Sequence, residues 1–474
     1  MSELIATLEH FTEVFSGWIS MPLTIILIGT GLFVTLALGF IQIRRFKHSF
    51  EVVSGKYDNP DDEGDVTHFQ ALSAALSATI GIGNIAGVAL AVRLGGPGAL
   101  FWMWVTALFG MALKYAECTL SHRYRVIHKD GSASGGPMYY IEKGLGPKWK
   151  PLAVFFATCA VICSFCTGNM NQANTIAQTF ATYNVPIWLS GAVIACMVGL
   201  VIIGGIKRIG NVTSKLAPFM AALYVAAALL IIFANLGDIP ASFAKIFSMA
   251  FNPPAAVGGI AGGTLLVIMN TMLWGVKRGL YSNEAGQGSA PIAHSTAKTE
   301  FAVREGAVAL LEPFIDTIII CTLTGLTIIV TGAWYHTEFY TTRIDPEFAG
   351  SLLNGSLLTS LAFKDGLAYI FPYGDKIITL GVLLFGISTV ISWSFYGDRS
   401  TEYLFGEKAI PIYRGFYILF VFIGAIASLE AIWSFGDAAL GFMTFPNLLS
   451  IILLSGVLKK MTKEYFEVDH PTYK

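Results

Sequence analysis

The sequence predicts an all-α polytopic membrane protein with eleven transmembrane helices. Of the 474 residues, 54% are hydrophobic and only 13% are charged, whereas soluble domains carry about 25% charged residues. The apolar residues also fall into stretches of about 20, the length that an α-helix needs to cross a bilayer. These stretches lie near residues 18–42, 69–92, 98–121, 151–181, 186–206, 214–236, 257–276, 304–333, 371–397, 411–432 and 436–459.

The charges of the connections set the expected orientation. Lys and Arg residues concentrate after the odd-numbered stretches, and cytoplasmic connections of membrane proteins carry the excess of positive charge. We therefore expect a multi-pass protein of the cell membrane with its N-terminus outside and its C-terminus in the cytoplasm. Because no connection is long enough for a separate soluble domain, residues 1–474 are expected to form one transmembrane domain in contact with membrane lipid.

Composition and motifs argue against several other classes of protein. The net charge of −1 gives no sign of a nucleic-acid partner. The C-x-x-C of Cys163 and Cys166 lies in an apolar stretch and lacks the βαβ setting of a redox motif. The chain has no H-E-x-x-H, G-x-S-x-G or G-x-x-x-x-G-K-[ST], so neither an enzyme nor a protein driven directly by ATP is expected.

The second stretch contains LSATIGIGNIAGVALAV, residues 76–92, which is unsuited to a continuous helix in lipid. Lipid tolerates an interrupted helix where the freed backbone lines a cavity or packs against protein. Unwinding at Gly81 and Gly83 would expose N–H groups that attract a carboxylate and carbonyls that suit sodium or an ammonium group. Asn84 would add an amide oxygen for the ion. The alternative is a packing face of small residues, Gly83 and Gly87.

The seventh stretch holds a second candidate break, where Asn270 and Thr271 interrupt an apolar run that Gly275 closes. The two candidates lie five stretches apart, as in transporters built from inverted repeats, whose broken helices bind substrate and ions near the membrane midplane. The expected architecture is a five-plus-five, LeuT-type inverted-repeat core with one extra N-terminal helix. Its expected parts are a first helix with its cytoplasmic connection (1–68), two inverted repeats (69–236 and 257–459) and a cytoplasmic tail (460–474).

Two further stretches carry polar side chains at helical spacing. The fourth contains Asn171 and Gln172, uncharged groups that suit either a zwitterionic substrate or hydrogen bonds between helices. The ninth contains Ser388 and Thr389, whose hydroxyls either bond to carbonyls of their own helix or serve as oxygen ligands for a hard cation. The residues alone leave both choices open.

The few charged residues inside the predicted helices include Lys114, Glu117, Glu312 and Asp316. Lys114 and Glu117 are within one turn of each other and are able to neutralise each other. Glu312 and Asp316 are both acidic, so they are candidates for a gate or a proton relay. The favoured alternative is that each pairs with a cytoplasmic Lys or Arg.

Three motifs give the sequence a family resemblance. SNEAGQGSAPIAH at 282–294, ALSATIGIGNIAGVA at 75–89 and GGPGALFWMW at 95–104 resemble the alanine/glycine:cation symporter family, part of the amino acid–polyamine–organocation superfamily. The resemblance implies the five-plus-five fold and symport of a sodium ion with alanine or glycine, imported by alternating access. A proton-coupled transporter of the same fold is the alternative. An ion channel is less favoured, because no filter-like loop or ring of pore charges is evident.

The resemblance also implies a binding site, without catalytic residues. The implied substrate-binding residues are Thr79, Gly81, Ile82, Gly83, Asn84, Asn171, Gln172, Asn270, Thr271, Met272 and Trp274. Unwound backbone would hold the carboxylate and part of the ammonium group, while Met272 and Trp274 would limit side-chain volume. The implied sodium ligands are carbonyls near Ser77 and Ile80 and hydroxyls of Ser388 and Thr389. Glu284 and Gln287 are expected to cap or gate the inner half of the seventh helix.

Overall fold

The structure is a computed structural model that describes residues 21–129, 131–252, 264–335, 355–427 and 429–473. Its helices are α1 (Met21–Ala37), α2 (Ile41–Arg44), α3 (Phe46–Val53), α4 (His68–Thr79), α5 (Gly83–Gly95), α6 (Gly98–Arg123), α7 (Pro137–Leu145), α8 (Pro147–Ala181), α9 (Ile187–Ile202), α10 (Gly205–Ala234), α11 (Ile239–Phe251), α12 (Thr264–Asn283), α13 (Ala290–His294), α14 (Ala302–Val330), α15 (Gly355–Leu367), α16 (Gly374–Phe405), α17 (Glu407–Ile426), α18 (Leu429–Leu453) and α19 (Ser455–Phe466). Strands β1 (Val126–Ile127) and β2 (Ala133–Ser134) form an antiparallel pair in which Val126 is opposite Ser134.

Six of the described helices are long and apolar enough to cross a membrane, and two bent helix pairs bring the number to eight. The six are α6, α8, α10, α14, α16 and α17, and the bent pairs are α4 with α5 and the last part of α18 with α19. The other predicted stretches hold α1 and α9, which are shorter apolar helices, and α12. A multi-pass helical membrane protein is therefore confirmed, while the number of eleven crossings and the inverted repeat stay predictions.

The broken pair α4 and α5 lies inside the bundle. Every residue from 71 to 92 is buried. α4 packs against α10 and α16, and α5 packs against α12. Helix α6 in turn packs against α12 and α14. These contacts place the second, seventh and ninth predicted stretches next to one another.

The start of α4 is fixed by local hydrogen bonds. Thr67 Oγ1 accepts from the Gln70 N–H at 3.2 Å, and Gln70 Oε1 accepts from the Thr67 N–H at 3.0 Å. This reciprocal pair satisfies two N–H groups that a helix start leaves open. Just before it, the Val66 carbonyl accepts from the Lys298 N–H at 2.8 Å. The entry to the first broken helix is thus fastened to the segment that follows α13.

The periphery of the bundle exposes large apolar side chains. Examples are Leu200 on α9, Phe219 and Phe233 on α10, and Ile412 on α17. Apolar surface of this extent is rare on water-soluble monomers and marks contact with a membrane or another protein. The outer faces of these helices therefore fit a lipid environment.

The predicted cytoplasmic tail begins within a helix. Helix α19 extends to Phe466, and the last residues fold back on the connection that follows α3, where the Tyr473 N–H donates to the Lys56 carbonyl at 3.0 Å. The predicted outer N-terminus, residues 1–20, lies outside the described residues.

Candidate binding site at two helix breaks

The helix break predicted in the second stretch is present. α4 ends at Thr79 and α5 begins at Gly83, with a 52° change of direction. Between them Ile80 has a ψ of 83°, far from the helical value of about −42°. Asn84 Oδ1 accepts a hydrogen bond from the Gly81 N–H at 2.9 Å. Asn84 therefore caps the unwound segment, and its side-chain oxygen is directed at the backbone of this chain.

The hydroxyls predicted as cation ligands lie against the end of α4. Ser388 Oγ donates to the Ser77 carbonyl at 3.1 Å, and Thr389 Oγ1 contacts the same carbonyl at 3.3 Å. Ser77 Oγ contacts Ser388 Oγ and donates to the Ser388 carbonyl at 3.2 Å. Ile80, the fourth predicted ligand, opens the unwound segment one turn further along. Neutral oxygens of α4 and α16 therefore converge at one buried point.

Gly81 is where the unwound segment comes closest to its neighbours. An added Cβ would lie 2.6 Å from Thr389 Oγ1 and 3.5 Å from Gln172 Oε1. Gln172 Oε1 also accepts from the Ile82 N–H at 3.4 Å. Predicted residues of the unwound segment, α8 and α16 are therefore together. Thr79 differs, because its hydroxyl bonds to carbonyls of its own helix.

Tyr281 closes the other side of the first break. An added Cβ on Gly83 would lie 3.1 Å from the Tyr281 ring, and Tyr281 OH accepts from Asn171 Nδ2 at 3.4 Å. Asn171 Oδ1 and Thr167 Oγ1 are buried and have no hydrogen-bond partner among the described residues. Since buried polar atoms are normally bonded, these two mark a place suited to ligand atoms. Tyr281 was not predicted from the sequence, although it directly precedes the motif at 282–294.

The break expected inside the seventh stretch is absent, and the chain first departs from α12 after Asn283, at a place that we call the second break. Helix α12 continues through Asn270, so the break expected there is wrong. The chain leaves the helix at Glu284, which has a φ of 53°, and Gly286 and Gly288 follow with φ of 78° and 83°. A non-glycine residue at positive φ is uncommon, and it persists where the surroundings enforce it. The motif that carried the resemblance therefore contains the observed break.

Side chains of the motif and of α16 hold the second break in place. Glu284 accepts hydrogen bonds from Ser289 Oγ at 2.5 Å and from Trp393 Nε1 at 3.1 Å. Gln287 Nε2 donates to the Leu280 carbonyl at 3.0 Å and so caps α12, as expected from the sequence. Trp393 was missed. Its signal is its position four residues after Thr389, which puts both side chains on one face of α16.

The four remaining predicted substrate residues lie on α12: Asn270, Thr271, Met272 and Trp274. Asn270 Nδ2 donates to the Leu94 carbonyl at 2.9 Å, which explains a polar residue within an apolar helix. An added Cβ on Gly95 would lie 2.9 Å from Trp274 Cβ. About eleven residues of helix, roughly 16 Å, separate this level from Gly83. The structure thus places this group at the far end of α5 and not at the first break.

Asp316 on α14 joins the two breaks. Asn84 Nδ2 donates to Asp316 Oδ1 at 2.5 Å, and Ser282 Oγ and Thr317 Oγ1 donate to Asp316 Oδ2 at 2.8 and 2.7 Å. The carboxylate is fully buried, and these three donors are uncharged. The favoured expectation was that Asp316 pairs with a cytoplasmic Lys or Arg. This expectation is wrong, because the hydrogen bonds of Asp316 come from uncharged groups of the helix bundle.

The charged residues of α6 pair differently than expected. Lys114 Nζ donates to Glu312 Oε2 on α14 at 3.0 Å, and Glu117 Oε2 accepts from Asn447 Nδ2 on α18 at 2.7 Å. Asn447 Nδ2 also donates to the Gly286 carbonyl at 2.8 Å, inside the second break. The intrahelical Lys114–Glu117 pair is replaced by bonds between helices, and the partner of Glu312 comes from a helix, not from a cytoplasmic connection.

Two groups of side chains in the described part of the chain are close enough to hold a metal ion: Cys118 with His294 and Glu312, and His128 with Glu402 and Glu407. In the first group, both nitrogens of His294 and both oxygens of Glu312 already form bonds within the chain. In the second, Glu402 is bonded to Arg399 at 2.6 Å. The His294 and Glu312 ligand atoms of the first group are therefore already engaged within the chain.

Comparisons with known proteins identify the family. The model of the sodium:alanine symporter family matches residues 5–473. The sodium/alanine symporter AgcS of Methanococcus maripaludis is 44% identical over 448 residues, covering 94% of each chain. An uncharacterised transporter of Haemophilus influenzae is also 44% identical, over 464 residues and 97% of each chain.

A solved structure resembles the chain in fold alone. The manganese transporter of Eremococcus coleocola is 11% identical, with a TM-score of 0.52 over 88% of this chain and 93% of that one. Identity this low carries nothing about the transported molecule. The match of the family model over nearly the whole length decides the question, and the chain belongs to the sodium:alanine symporter family.

Proposed function

We propose that this protein is a sodium-coupled symporter that imports alanine and glycine by alternating access. The observation that carries the proposal is the unwound segment between α4 and α5, which is enclosed by Ser77, Thr389 and Gln172. A break of this kind at the centre of a helical membrane protein suits substrate and ion binding. The sodium/alanine function named for the Methanococcus maripaludis relative supports the same choice.

The sodium ion is proposed to bind where α4 meets α16. Its ligands would be the Ser77 and Ile80 carbonyls with the hydroxyls of Ser388 and Thr389. Sodium is a hard cation that needs several oxygen ligands, and neutral dipoles suffice for a single charge. The oxygens of Ser77, Ser388 and Thr389 already lie within about hydrogen-bond distance of one another.

The substrate is proposed to bind beside this ion, along the backbone from Thr79 to Gly83. The start of α5 offers N–H groups and the positive end of a helix dipole to the carboxylate. To bind the carboxylate, the Ile82 N–H would exchange its long hydrogen bond of 3.4 Å to Gln172 Oε1 for one to the substrate. Asn171 Oδ1, buried without a partner among the described residues, is proposed to accept from the ammonium group, and Asn84 to brace the segment.

The pocket is proposed to fit small side chains. Thr389 and Tyr281 occupy the space next to Gly81 and Gly83, at 2.6 and 3.1 Å from where an added Cβ would lie. Because little room is left beside the backbone, glycine and alanine should bind and leucine should not. Asn270, Thr271, Met272 and Trp274 are proposed to border the outer approach to the pocket, since they lie at the far end of α5.

The proposed arrangement of the chain in the membrane is the one that the sequence predicts. We infer that residues 1–474 form one transporter domain, with inverted repeats at 69–236 and 257–459 flanked by 1–68 and a cytoplasmic tail at 460–474. The N-terminus is proposed to lie outside the cell and the C-terminus in the cytoplasm. The exposed apolar faces of α9, α10 and α17 support contact with lipid.

Uptake into proteoliposomes with sodium and proton gradients imposed separately tests the proposal. A sodium gradient alone should drive alanine uptake, glycine should compete, and leucine should not. Thr389→Ala removes one proposed ligand, so half-maximal uptake should need about tenfold more sodium, a loss of about 1.4 kcal/mol. The control is Thr444→Ala, whose buried hydroxyl bonds only within its own helix. Equal sodium dependence of wild type and Thr389→Ala would remove Thr389 from the site.

Proton coupling is the second candidate, and Asp316 is the observation that favours it. An ionised carboxylate without a positive partner is costly in a buried, low-dielectric position, so a proton is a natural occupant for Asp316. Alanine uptake driven by a proton gradient in sodium-free medium, and lost in Asp316→Asn, would establish this alternative and overturn sodium coupling. Uptake that needs sodium and ignores the proton gradient would exclude it.

A further inference from the structure

Five ionisable side chains form a continuous buried row next to the two breaks. Lys114 Nζ donates to Glu312 at 3.0 Å, and the other oxygen of Glu312 lies 2.8 Å from His294 Nε2. His294 Nδ1 lies 2.6 Å from Glu305 Oε2, and the second oxygen of Glu305 contacts His68 Nδ1. All five side chains are at most 1% exposed. We call them the acid–base row.

The protons of this row can be assigned from its geometry. Both nitrogens of His294 face carboxyl oxygens, so when both carboxyl groups are ionised each nitrogen carries hydrogen and His294 is an imidazolium ion. The positive charges of Lys114 and His294 balance the negative charges of Glu312 and Glu305. The row is therefore neutral overall when His68 is neutral and donates its Nδ1–H to Glu305.

The outer end of the row is incomplete. His68 Nε2 and Asp58 Oδ1 are both buried, and neither has a hydrogen-bond partner in the described part of the chain. They lie 3.8 Å apart, so with a neutral His68 two acceptors face each other. A proton on Nε2 would turn one of them into a donor. The Asp58 side chain is 38% exposed, so protons from solvent can reach this end.

The position of His68 connects it to the transport machinery. It is the first residue of α4, the helix that ends at the first break, while Asp58 lies in the connection before α4 and Glu305 lies on α14. Other ionisable groups that act on this end include His122 and Arg125, at and after the end of α6. Both are bonded to the Ala297 carbonyl, which keeps them fixed.

We propose that His68 is a proton-binding site that regulates transport from the cytoplasmic side. A proton on Nε2 bridges Asp58 and Glu305, ties the start of α4 to α14, and stabilises the closed arrangement in which residues 71–92 are buried. Internal acid therefore slows the opening of the cytoplasmic exit. Histidine suits this role because its charge ordinarily changes between about pH 5 and 8. The regulatory part rests on the proposed transport function.

Alanine uptake into right-side-out membrane vesicles tests this site. The sodium gradient and external pH are held constant while the internal pH is lowered from about 8 to about 6. Wild-type uptake should fall about threefold or more, and uptake by His68→Gln should stay constant. The control is His48→Gln, on α3. Burial lowers the pKa of His48 to about 4, so His48 stays neutral over this range and its variant should respond like wild type.

A second measurement needs no substrate, so it still tests proton binding at His68 if the proposed transport function is wrong. The thermal midpoint of the purified full chain in detergent is compared across the same pH range. The bridge needs protonated His68, so its stabilisation should be present near pH 6 and lost as the pH rises. The difference between wild type and His68→Gln should follow that course. Asp58→Asn, at a partly exposed position, removes the negative charge that faces protonated His68 and offers an amide N–H to neutral Nε2, so it should reduce both pH responses without touching the buried row.

Three outcomes would overturn the proposal. One is a wild-type pH response of uptake and of thermal midpoint in His68→Gln. A second, which also applies if His68→Gln does not fold, is an unchanged response in Asp58→Asn. Loss of the response in His48→Gln would likewise assign it to a different histidine.

Discussion

Close packing at single residues decides which glycines of the first break are irreplaceable. We expect Gly81→Ala to lower alanine uptake at least tenfold, because the new methyl group would meet Thr389 Oγ1 at 2.6 Å, closer than atoms pack without displacement. Gly87→Ala, six residues on, is the matched control, since its nearest neighbour would be Arg278 Cδ at 3.7 Å. The measurement is the initial rate of alanine uptake at saturating and at limiting sodium, normalised to the amount of folded protein.

The comparison separates a binding role from the packing alternative. If Gly81→Ala transports normally, the unwound segment does not need its contact with α16. If Gly87→Ala fails as badly as Gly81→Ala, the stretch acts as a face of small residues, the reading that the sequence had left open.

At the residue scale, the contact of Ser77 with Ser388 and Thr389 was expected only through the family resemblance. These residues are about 311 positions apart in the chain, and no local sequence pattern predicts a contact between residues so far apart. Tyr281 and Trp393 were missed for a related reason. An aromatic residue in an apolar helix reads as ordinary core, and only its contact with a polar partner on another helix shows otherwise.

At the scale of helices, the prediction of the first break is confirmed, and the prediction of a break at Asn270 and Thr271 is wrong. The first combines glycines with a polar residue inside an apolar run, which conflicts with a lipid-exposed helix. In the seventh stretch Asn270 produced the same signal, but its amide is satisfied by the Leu94 carbonyl. The place where the chain leaves α12, at Glu284, lies in a polar motif that resembles a cytoplasmic loop. Hydropathy cannot distinguish a polar loop in water from a polar segment buried among helices.

The ion pair between α6 and α14 should be a strong determinant of stability. Lys114→Met leaves the buried Glu312 carboxylate without its 3.0 Å partner, and breaking a buried pair on one side costs about 3–5 kcal/mol. Lys463→Met is the control. The Lys463–Glu467 pair is mostly exposed at 3.6 Å, and such pairs contribute at most about 1 kcal/mol. Denaturant or thermal unfolding of the purified variants in one detergent gives the comparison, and equal loss in both would contradict a structural role for the buried pair.

For the whole molecule, composition was sufficient for the class of protein and insufficient for the arrangement of its core. The share of charged residues and the apolar stretches predicted a multi-pass helical membrane protein. The buried acid–base row shows what such counting misses, because Lys114 and Glu312 are joined across 198 positions and both were visible only as isolated charges within apolar stretches.

The orientation of the whole chain in the membrane gives the last prediction. Positive charge concentrates in connections that the positive-inside rule assigns to the cytoplasm, so Lys148, in the first turn of α8, should face inward. Asp238, between α10 and α11, should face outward. Cys196 is exposed while the other five cysteines are buried, so Cys196→Ser provides a background with little reactive thiol. A membrane-impermeant maleimide applied to intact cells should label Asp238→Cys and spare Lys148→Cys, with both labelled after the cells are permeabilised. Labelling of Lys148→Cys alone in intact cells would reverse the orientation, and with it the side from which His68 receives its proton.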